Sequence, residues 1–261
     1  MKGIILAGGS GTRLRPITLA ISKQLIPIYN KPLIYYPLST LMLAGIKEIL
    51  VITSPDQEVL FQRLLGDGKQ FGIHISYTKQ ELPNGIPSGL MLGKEFAQGD
   101  SVALILGDNF FYGQGLGRSL KFDTDIKKAK IFLKEVVNTK DFGVMEFTED
   151  GSPFRIIEKP LLTSSNLAIT GFYLYPNSVF EKIKELKISK RGETEISDLN
   201  NSYLAEAQIE YKVLPRSTVW LDTGTFEGIH QASEFVRVIE NQQGTSVGDP
   251  VEVAKLNGWI N

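Results

Sequence analysis

Short apolar runs of β character alternate with helical patterns through the first half of the chain, and this alternation restricts the fold more than any other feature. Gly3 to Leu6, Ile49 to Thr53, Ile73 to Tyr77 and Val102 to Leu106 read as strands. Leu33 to Leu43, Glu58 to Leu65 and a stretch around Leu90 to Phe96 read as the helices between them. Strands that are apolar on both faces and separated by helices predict a parallel sheet covered on both sides. Such sheets bind ligands beyond the carboxyl ends of their strands, where loops and helix N-termini converge. Chemistry is therefore expected just after Leu6, near Gln80 and just after Leu106. Pro37 falls inside the first predicted helix, so a kink or a later start is expected there.

The second half is more mixed. Strand-like runs lie at Lys130 to Val136, Val144 to Phe147, Phe154 to Glu158 and Ile169 to Tyr175, with helical patterns at Val179 to Leu186, Ile196 to Ala205 and Phe226 to Glu240. No Pro/Gly/Ser-rich linker, repeat or low-complexity tract interrupts the 261 residues, which predicts one domain over 1–261 with its sheet extended by the second half. The fold class expected is α/β, a Rossmann-like three-layer mixed sheet, mostly parallel, with helices on both faces. The apolar stripe Ile229, Phe235, Val236 and Ile239 is expected to be core or subunit contact.

Composition narrows the chemistry. The absence of cysteine excludes disulfides, thiolate nucleophiles and cysteine-held zinc or iron–sulfur sites. Two histidines, His74 and His230, cannot alone build a three-histidine metal site, so any metal should be a hard cation held by oxygen, with Mg²⁺ beside phosphates the usual case. A net charge of −1 gives no global attraction for nucleic acid or an acidic membrane. The apolar run after Lys2 is too short for a signal peptide, and no stretch reaches the roughly 18 apolar residues of a membrane span. A cytoplasmic location is the resulting expectation.

Directly after the first strand stand Leu6, Ala7, Gly8, Gly9, Ser10, Gly11, Thr12, Arg13 and Leu14. Glycines let backbone N–H groups curl round an anion, and a helix or turn that begins there adds partial positive charge. The run reads as a phosphate cradle. No Gly-Lys-Ser/Thr closes it, so it is not a Walker A loop, and the missing third glycine of a dinucleotide fingerprint makes nicotinamide-dependent oxidoreduction a weaker alternative. Arg13 is suited to reach the same phosphates with its planar fork. Asp108 follows the strand Val102 to Leu106 through Gly107, and Asp222 follows Val219-Trp220-Leu221, which puts two carboxylates at strand ends where they could share one Mg²⁺. Read singly, each is more often a plain turn or a helix cap.

Together with Pro27 and Lys31-Pro32, the glycine-rich block resembles the signature of the sugar-1-phosphate nucleotidyltransferases. The runs Ile17 to Leu25 and Tyr35 to Ile46, then Leu106 to Asn109, Glu158-Lys159-Pro160, Thr170-Gly171, Arg191-Gly192-Glu193 and Trp220 to Thr225, are similar to those of the glucose-1-phosphate thymidylyltransferases. The likeness covers nearly the whole chain. It implies the nucleotide-diphospho-sugar transferase type of fold, with 1–110 as the nucleotide-binding half and 111–261 as the sugar-binding half. It also implies an Mg²⁺-dependent reaction in which dTTP and glucose 1-phosphate give dTDP-glucose and pyrophosphate, an early step of dTDP-deoxysugar or rhamnose synthesis, carried out by a homo-oligomer, a tetramer or a dimer.

By the same resemblance Arg13, Lys23 and Lys159 are the catalytic cations, and Asp108 and Asp222 hold the metal. Leu6, Gly8, Gly9, Ser10, Gly11, Thr12, Arg13, Gln24, Gln80, Gly85 and Asp108 fall on the nucleotide. Asn109, Gly143, Glu158, Lys159, Ile169, Tyr173, Arg191 and Glu195 fall on the sugar phosphate. Lys159, lying before Pro160, is expected in extended backbone, and Arg191 reads equally well as a surface loop residue. The chain departs from the family where Gly85-Ile86-Pro87-Ser88-Gly89 replaces the usual Gly-Leu-Ala-Gln-Ala, and where Phe142 replaces a tyrosine. It is also about thirty residues shorter than the long forms, whose tails help build subunit contacts and an effector site, so feedback control by a dTDP-sugar does not carry over. Alternatives of the same chemistry use UTP or another hexose 1-phosphate, and one of a different class is a silent regulator that binds a nucleotide sugar.

Overall fold

The computed structural model describes residues 1–120 and 125–261. In chain order its elements are β1 (Lys2–Ala7), β2 (Pro27–Ile28), β3 (Lys31–Pro32), α1 (Tyr35–Leu43), β4 (Glu48–Thr53), α2 (Glu58–Leu65), β5 (His74–Lys79), α3 (Ile86–Met91), α4 (Lys94–Ala97), β6 (Val102–Leu106), β7 (Asn109–Tyr112) and α5 (Leu116–Ser119). They continue with β8 (Ala129–Glu135), β9 (Gly143–Phe147), β10 (Pro153–Glu158), β11 (Leu167–Tyr175), α6 (Val179–Lys184), α7 (Ile196–Ala205), β12 (Ile209–Val213), β13 (Val219–Asp222), α8 (Phe226–Gln243) and α9 (Pro250–Leu256). The α/β class read from the sequence is the class observed.

Two compact units account for these elements. The first holds Lys2–Pro83, the stretch that begins at Ile105, and Ser217–Asn261; the second holds Met1, Asn84–Leu104 and the stretch that ends at Arg216. Neither is continuous in sequence. Asn84–Leu104 belongs with later residues, and Ser217–Asn261 returns to the unit that begins at Lys2.

In the first unit β1 pairs in parallel with β4, and β4 with β5, in the registers Ile4↔Leu50 and Leu50↔Ser76. β1 and β4 are buried along nearly their whole length, which is why both read as unbroken apolar runs. Pro37 sits in the first turn of α1, where its missing N–H costs no helical hydrogen bond, so the helix begins at Tyr35 and continues through it. The core of this unit gathers Ile28, Leu33, Tyr36, Phe110, Ala232, Val236 and Val247. Ile229, Phe235 and Ile239 pack against that cluster, so the stripe on α8 is core, as its spacing predicts. The Thr225 hydroxyl accepts from Gly228 N at 3.1 Å to cap the start of α8, and Gly244, with φ of 65°, closes its end.

The second unit holds strands of mixed direction. β8 pairs antiparallel with β11 and in parallel with β12, and β9 lies antiparallel to both β10 and β11. The stretch expected to be helical around Leu90 to Phe96 is two short helices, α3 and α4, interrupted at Leu92-Gly93. Gly85, with φ of 113°, starts α3 in a backbone conformation that favours glycine, and Pro87 lies in its first turn.

Candidate active site

In the first unit the glycine-rich run leaves β1 as a loop. Gly11 adopts the left-handed conformation with φ of 58° and starts a short 3₁₀ turn, Thr12–Leu14, that buries Leu14 and leaves Arg13 in solvent. The Thr18 hydroxyl donates to Gly11 O at 2.7 Å and ties the loop down. Gly8 passes close to Gln80, and a Cβ on it would stand 3.0 Å from Gln80 Oε1. Gly8, Gly9, Ser10, Lys23 and Gln80 line one cavity of about 220 Å³, with Gln57 on its wall. Gln24 is buried against Gly107, with its Oε1 accepting from the Ser22 hydroxyl at 2.6 Å. Leu6 anchors the neighbouring turn, since its carbonyl accepts from Gly107 N at 2.9 Å.

That turn aims Asp108. β6 ends at Leu106 and β7 begins at Asn109, so Gly107 and Asp108 alone connect them. A Cβ on Gly107 would lie 2.8 Å from Leu6 O, which makes glycine the residue this approach admits. β13 runs antiparallel to β7 with Asp222 opposite Asn109, and this register brings the second carboxylate to the same strand end as the first. Thr223 fixes the join, donating from its N–H at 3.1 Å and its hydroxyl at 2.7 Å to Asp108 O. Asn109, expected on the sugar phosphate, has its amide engaged at both ends: Nδ2 donates to Asp108 Oδ1 at 3.1 Å, and Oδ1 accepts from Trp220 Nε1 at 2.6 Å.

Charge completes this cluster. Lys23 forms a close ion pair with Asp108 Oδ2, and Arg13 stands 3.8 Å from Asp222 Oδ2. Burial alone would push the Asp108 carboxyl up, but the Lys23 ammonium and the hydrogen bonds from Lys23 and Asn109 hold it below the usual carboxylate range. Asp222 behaves oppositely. Burial first, and then the negative charge of Asp108, push it up to about 6 against the pull of Lys23 and Arg13. Two adjacent carboxylates whose environments drive them apart in this way are a mark of functional sites. Their donors are all oxygen, which suits a hard cation. Among the described residues no group of three or more His, Cys, Asp or Glu could hold a metal, so such a cation would complete its shell with water and ligand oxygens.

The second unit gathers a different set. Gly143 and Glu158 are register partners across β9 and β10, and a Cβ on Gly143 would stand 3.0 Å from Ser197 Oγ, 3.4 Å from Glu158 Oε2 and 3.8 Å from Ile169 Cδ1. The Ser197 hydroxyl, in the first turn of α7, donates to Glu158 Oε2 at 2.5 Å. Arg191 pairs with Glu195 through Nη2 to Oε2 at 2.5 Å and Nε to Oε1 at 3.1 Å, and stands 3.7 Å from Glu158 Oε1. The Ser189 hydroxyl donates to Glu195 Oε1 at 2.6 Å. Burial raises Glu195, but the donations from Arg191 and Ser189 outweigh it and hold the carboxyl below its ordinary value. Arg191 is thus more than a loop residue in solvent, although its side chain remains 44% exposed.

Lys159 corrects one expectation. It has φ of 45°, so it is left-handed rather than extended, a conformation that costs a non-glycine residue about 1–2 kcal/mol. Its N–H donates to Phe142 O at 3.0 Å and its ammonium lies 3.9 Å from Glu158 Oε1. That bond lies at the end of the β9–β10 pair, where the chain turns before Pro160. Gly85 meets Thr194 of the Arg191–Glu195 loop, since a Cβ on it would stand 2.1 Å from Thr194 O. Ser88 bonds to the same threonine, hydroxyl to hydroxyl at 2.8 Å. Tyr173 is buried on β11, where its ring stacks on that of Tyr175 at 6.0 Å.

Sequence reasoning passes over the residues that support these groups: Trp220, Thr223 and Gly224 around the two aspartates, and Ser189 and Ser197 around the two glutamates. Trp220, Thr223 and Gly224 lie inside the run Trp220 to Thr225, so a signal exists there. The two serines carry none.

A family model described as nucleotidyl transferase matches residues 2–238. The glucose-1-phosphate thymidylyltransferase of Mycobacterium tuberculosis is 51% identical over 261 residues, covering 100% of this chain and 91% of that one. Its counterpart from Neisseria meningitidis is 50% identical over 262 residues with the same coverage. Among solved structures, a Bacillus anthracis protein assigned as a glucose-1-phosphate thymidylyltransferase and crystallised with sucrose aligns with a TM-score of 0.83 at 38% identity, over 91% of this chain and 95% of that one. A UDP-glucose pyrophosphorylase bound to UDP-glucose aligns with a TM-score of 0.78 at 25% identity, over 91% of this chain and 98% of that one.

Proposed function

This chain belongs to the nucleotidyl transferase family as an enzyme that moves a nucleotidyl group to a sugar 1-phosphate, and from that premise we propose that it joins dTTP to α-D-glucose 1-phosphate, releasing pyrophosphate and dTDP-glucose. The observation that carries the reading is the cluster in which Lys23, Asp108, Asp222 and Arg13 converge beside the glycine-rich loop. Both substrates are anions, and the sugar phosphate oxygen must attack the α-phosphorus in line with the departing pyrophosphate. A protein does this chiefly by placement and charge neutralisation.

The roles follow from the chemistry of each group. The backbone of Gly8 to Thr12 and the fork of Arg13 hold the triphosphate, with Arg13 and Lys23 neutralising the charge that gathers on the leaving pyrophosphate. Asp108 and Asp222 would hold Mg²⁺, which when bound supplies charge neutralisation at the α-phosphate and the attacking oxygen. Asn109 and Trp220 orient Asp108. Gln80, against Gly8, offers a donor and an acceptor to a pyrimidine edge, and the backbone of Gly85 takes part in seating the base. In the second unit Lys159 and Arg191 bind the sugar phosphate, while Glu158, Gly143, Ile169, Tyr173 and Glu195 recognise the sugar, because hydroxyls left unpaired in a pocket cost about 1–3 kcal/mol each.

We further propose a cytoplasmic location, use of the product in dTDP-deoxysugar or rhamnose synthesis, and assembly as a homo-oligomer. Among the described residues no helix is long and apolar enough to cross a membrane. The test is pyrophosphate release with Mg²⁺ and glucose 1-phosphate in parallel with dTTP, UTP, ATP, CTP and GTP. Thymine and uracil present the same amide edge to Gln80, so their discrimination must come from the thymine methyl and the sugar. Preference for dTTP supports the proposal. Preference for UTP moves the assignment and points to Gly85 to Gly89, and silence with all five removes it.

A further inference from the structure

Lys23 sits on the carboxylate that the proposed metal needs. Its ammonium pairs with Asp108 Oδ2 while Asn109 donates to Oδ1, so both oxygens of Asp108 have donors. The two side chains are only 14% and 13% exposed, and little water screens them from a second cation. A divalent ion on Oδ2 would stand against a lysine charge in that setting, and one of the two cations must yield. Asp222 presents no comparable block: Arg13 is 3.8 Å away, and its side chain is 54% exposed.

Lys23 also has somewhere to go. It rises from the 3₁₀ turn Lys23–Leu25 on a flexible four-carbon stem. Together with Gly8, Gly9 and Ser10 of the anion loop it lines the same cavity. A triphosphate on that loop would give the ammonium a new anionic partner; with the loop empty, leaving Asp108 would strand it.

We infer that Lys23 is a resident counter-cation of Asp108, exchanged for the metal when the triphosphate arrives. Lys23 hands Asp108 to the metal and takes up the phosphates, so the metal alone binds weakly and binding of metal and nucleotide is mutually reinforcing. Before substrate arrives, the same contact neutralises a buried carboxylate. This inference rests on the reading of Asp108 as a metal ligand.

The test uses Mn²⁺ as the probe, titrated into the full chain without nucleotide and followed by electron paramagnetic resonance. Lys23→Met removes the charge, and Lys23→Gln removes it while keeping a hydrogen-bond donor for Asp108, which protects the experiment against a folding defect in the first. Both folded variants should bind Mn²⁺ at least about tenfold more tightly than the parent, as release from a charged competitor predicts. Adding Asp108→Asn should abolish that gain. Equal or weaker binding in the variants, with Asp108→Asn still removing it, overturns the exchange and leaves Asp108 a ligand. Absence of Mn²⁺ binding in every form overturns the exchange and the metal assignment together.

Discussion

The two charged clusters are built on different principles. Around Asp108 and Asp222 the acids sit on paired strand ends, most of their surface is covered, and their protonation equilibria are driven in opposite directions. The cations differ more than the acids: Lys23 on Asp108 is 14% exposed, whereas Lys159 and Arg191 beside Glu158 and Glu195 stand on turns at 47% and 44%, as Arg13 beside Asp222 does at 54%. Rigid placement with little water makes each charge count strongly, as a reacting centre requires. Exposed cations on turns can close round a ligand and release it, which suits recognition. On the proposed reading, bond making falls to the first cluster and holding of the sugar phosphate to the second.

The largest effect should come from Asp108→Asn. A fall of about 10³-fold in kcat is expected, measured by pyrophosphate release, with calorimetry showing a cooperative melting transition that is retained but lowered, because the mutation also removes the partner of Lys23. A tenfold fall or less would break the assignment of chemistry to the first cluster. Arg191→Gln should instead raise the KM for glucose 1-phosphate about 10–100-fold, the cost of one charge-assisted bond, with kcat far less affected. A smaller loss, about fivefold in the same KM, is expected of Ser197→Ala, which removes one hydrogen bond to Glu158.

The smallest effect is on stability. Because Asp222 rises to about 6 from a reference of 3.8, the folded form binds its proton more tightly than the unfolded chain does. Its contribution is full below about pH 4 and is lost as pH rises through about 6. Asp108, lowered, contributes in the opposite sense: its stabilisation is present above its reference value and is lost as pH falls below it. In chelator-treated protein, Asp222→Asn should therefore flatten the part of the stability profile between about pH 4 and 6. An unchanged slope would mean that the two carboxylates do not interact as described.

Much of this architecture is legible in the sequence. β1, β4 and β6 announce themselves because strands buried on both faces leave continuous apolar runs, and the glycine-rich loop and Asp108 follow from where such strands end. β12 carries only a weak signal: Ile209, Tyr211 and Val213 alternate with Glu210 and Lys212, but the run is five residues long and mostly exposed. The units carry none, because contacts that return Ser217–Asn261 to the unit begun at Lys2 are set by packing between distant segments. At the site, the charged residues can be named from their types and motifs. Lys159 reads as extended yet folds left-handed with its N–H bonded to Phe142 O, a tertiary contact that a local rule about proline does not contain. Ser189 and Ser197 are invisible, as a serine gains meaning only from the carboxylate beside it.

The division between the two clusters is tested most directly by measuring kcat for Asp108→Asn and Arg191→Gln with glucose 1-phosphate raised to saturation. Arg191→Gln should recover turnover to within severalfold of the parent, while Asp108→Asn stays about 10³-fold below it at every concentration. Recovery of the Asp108 variant, or an Arg191 variant that remains as slow as Asp108→Asn at saturation, would contradict the account.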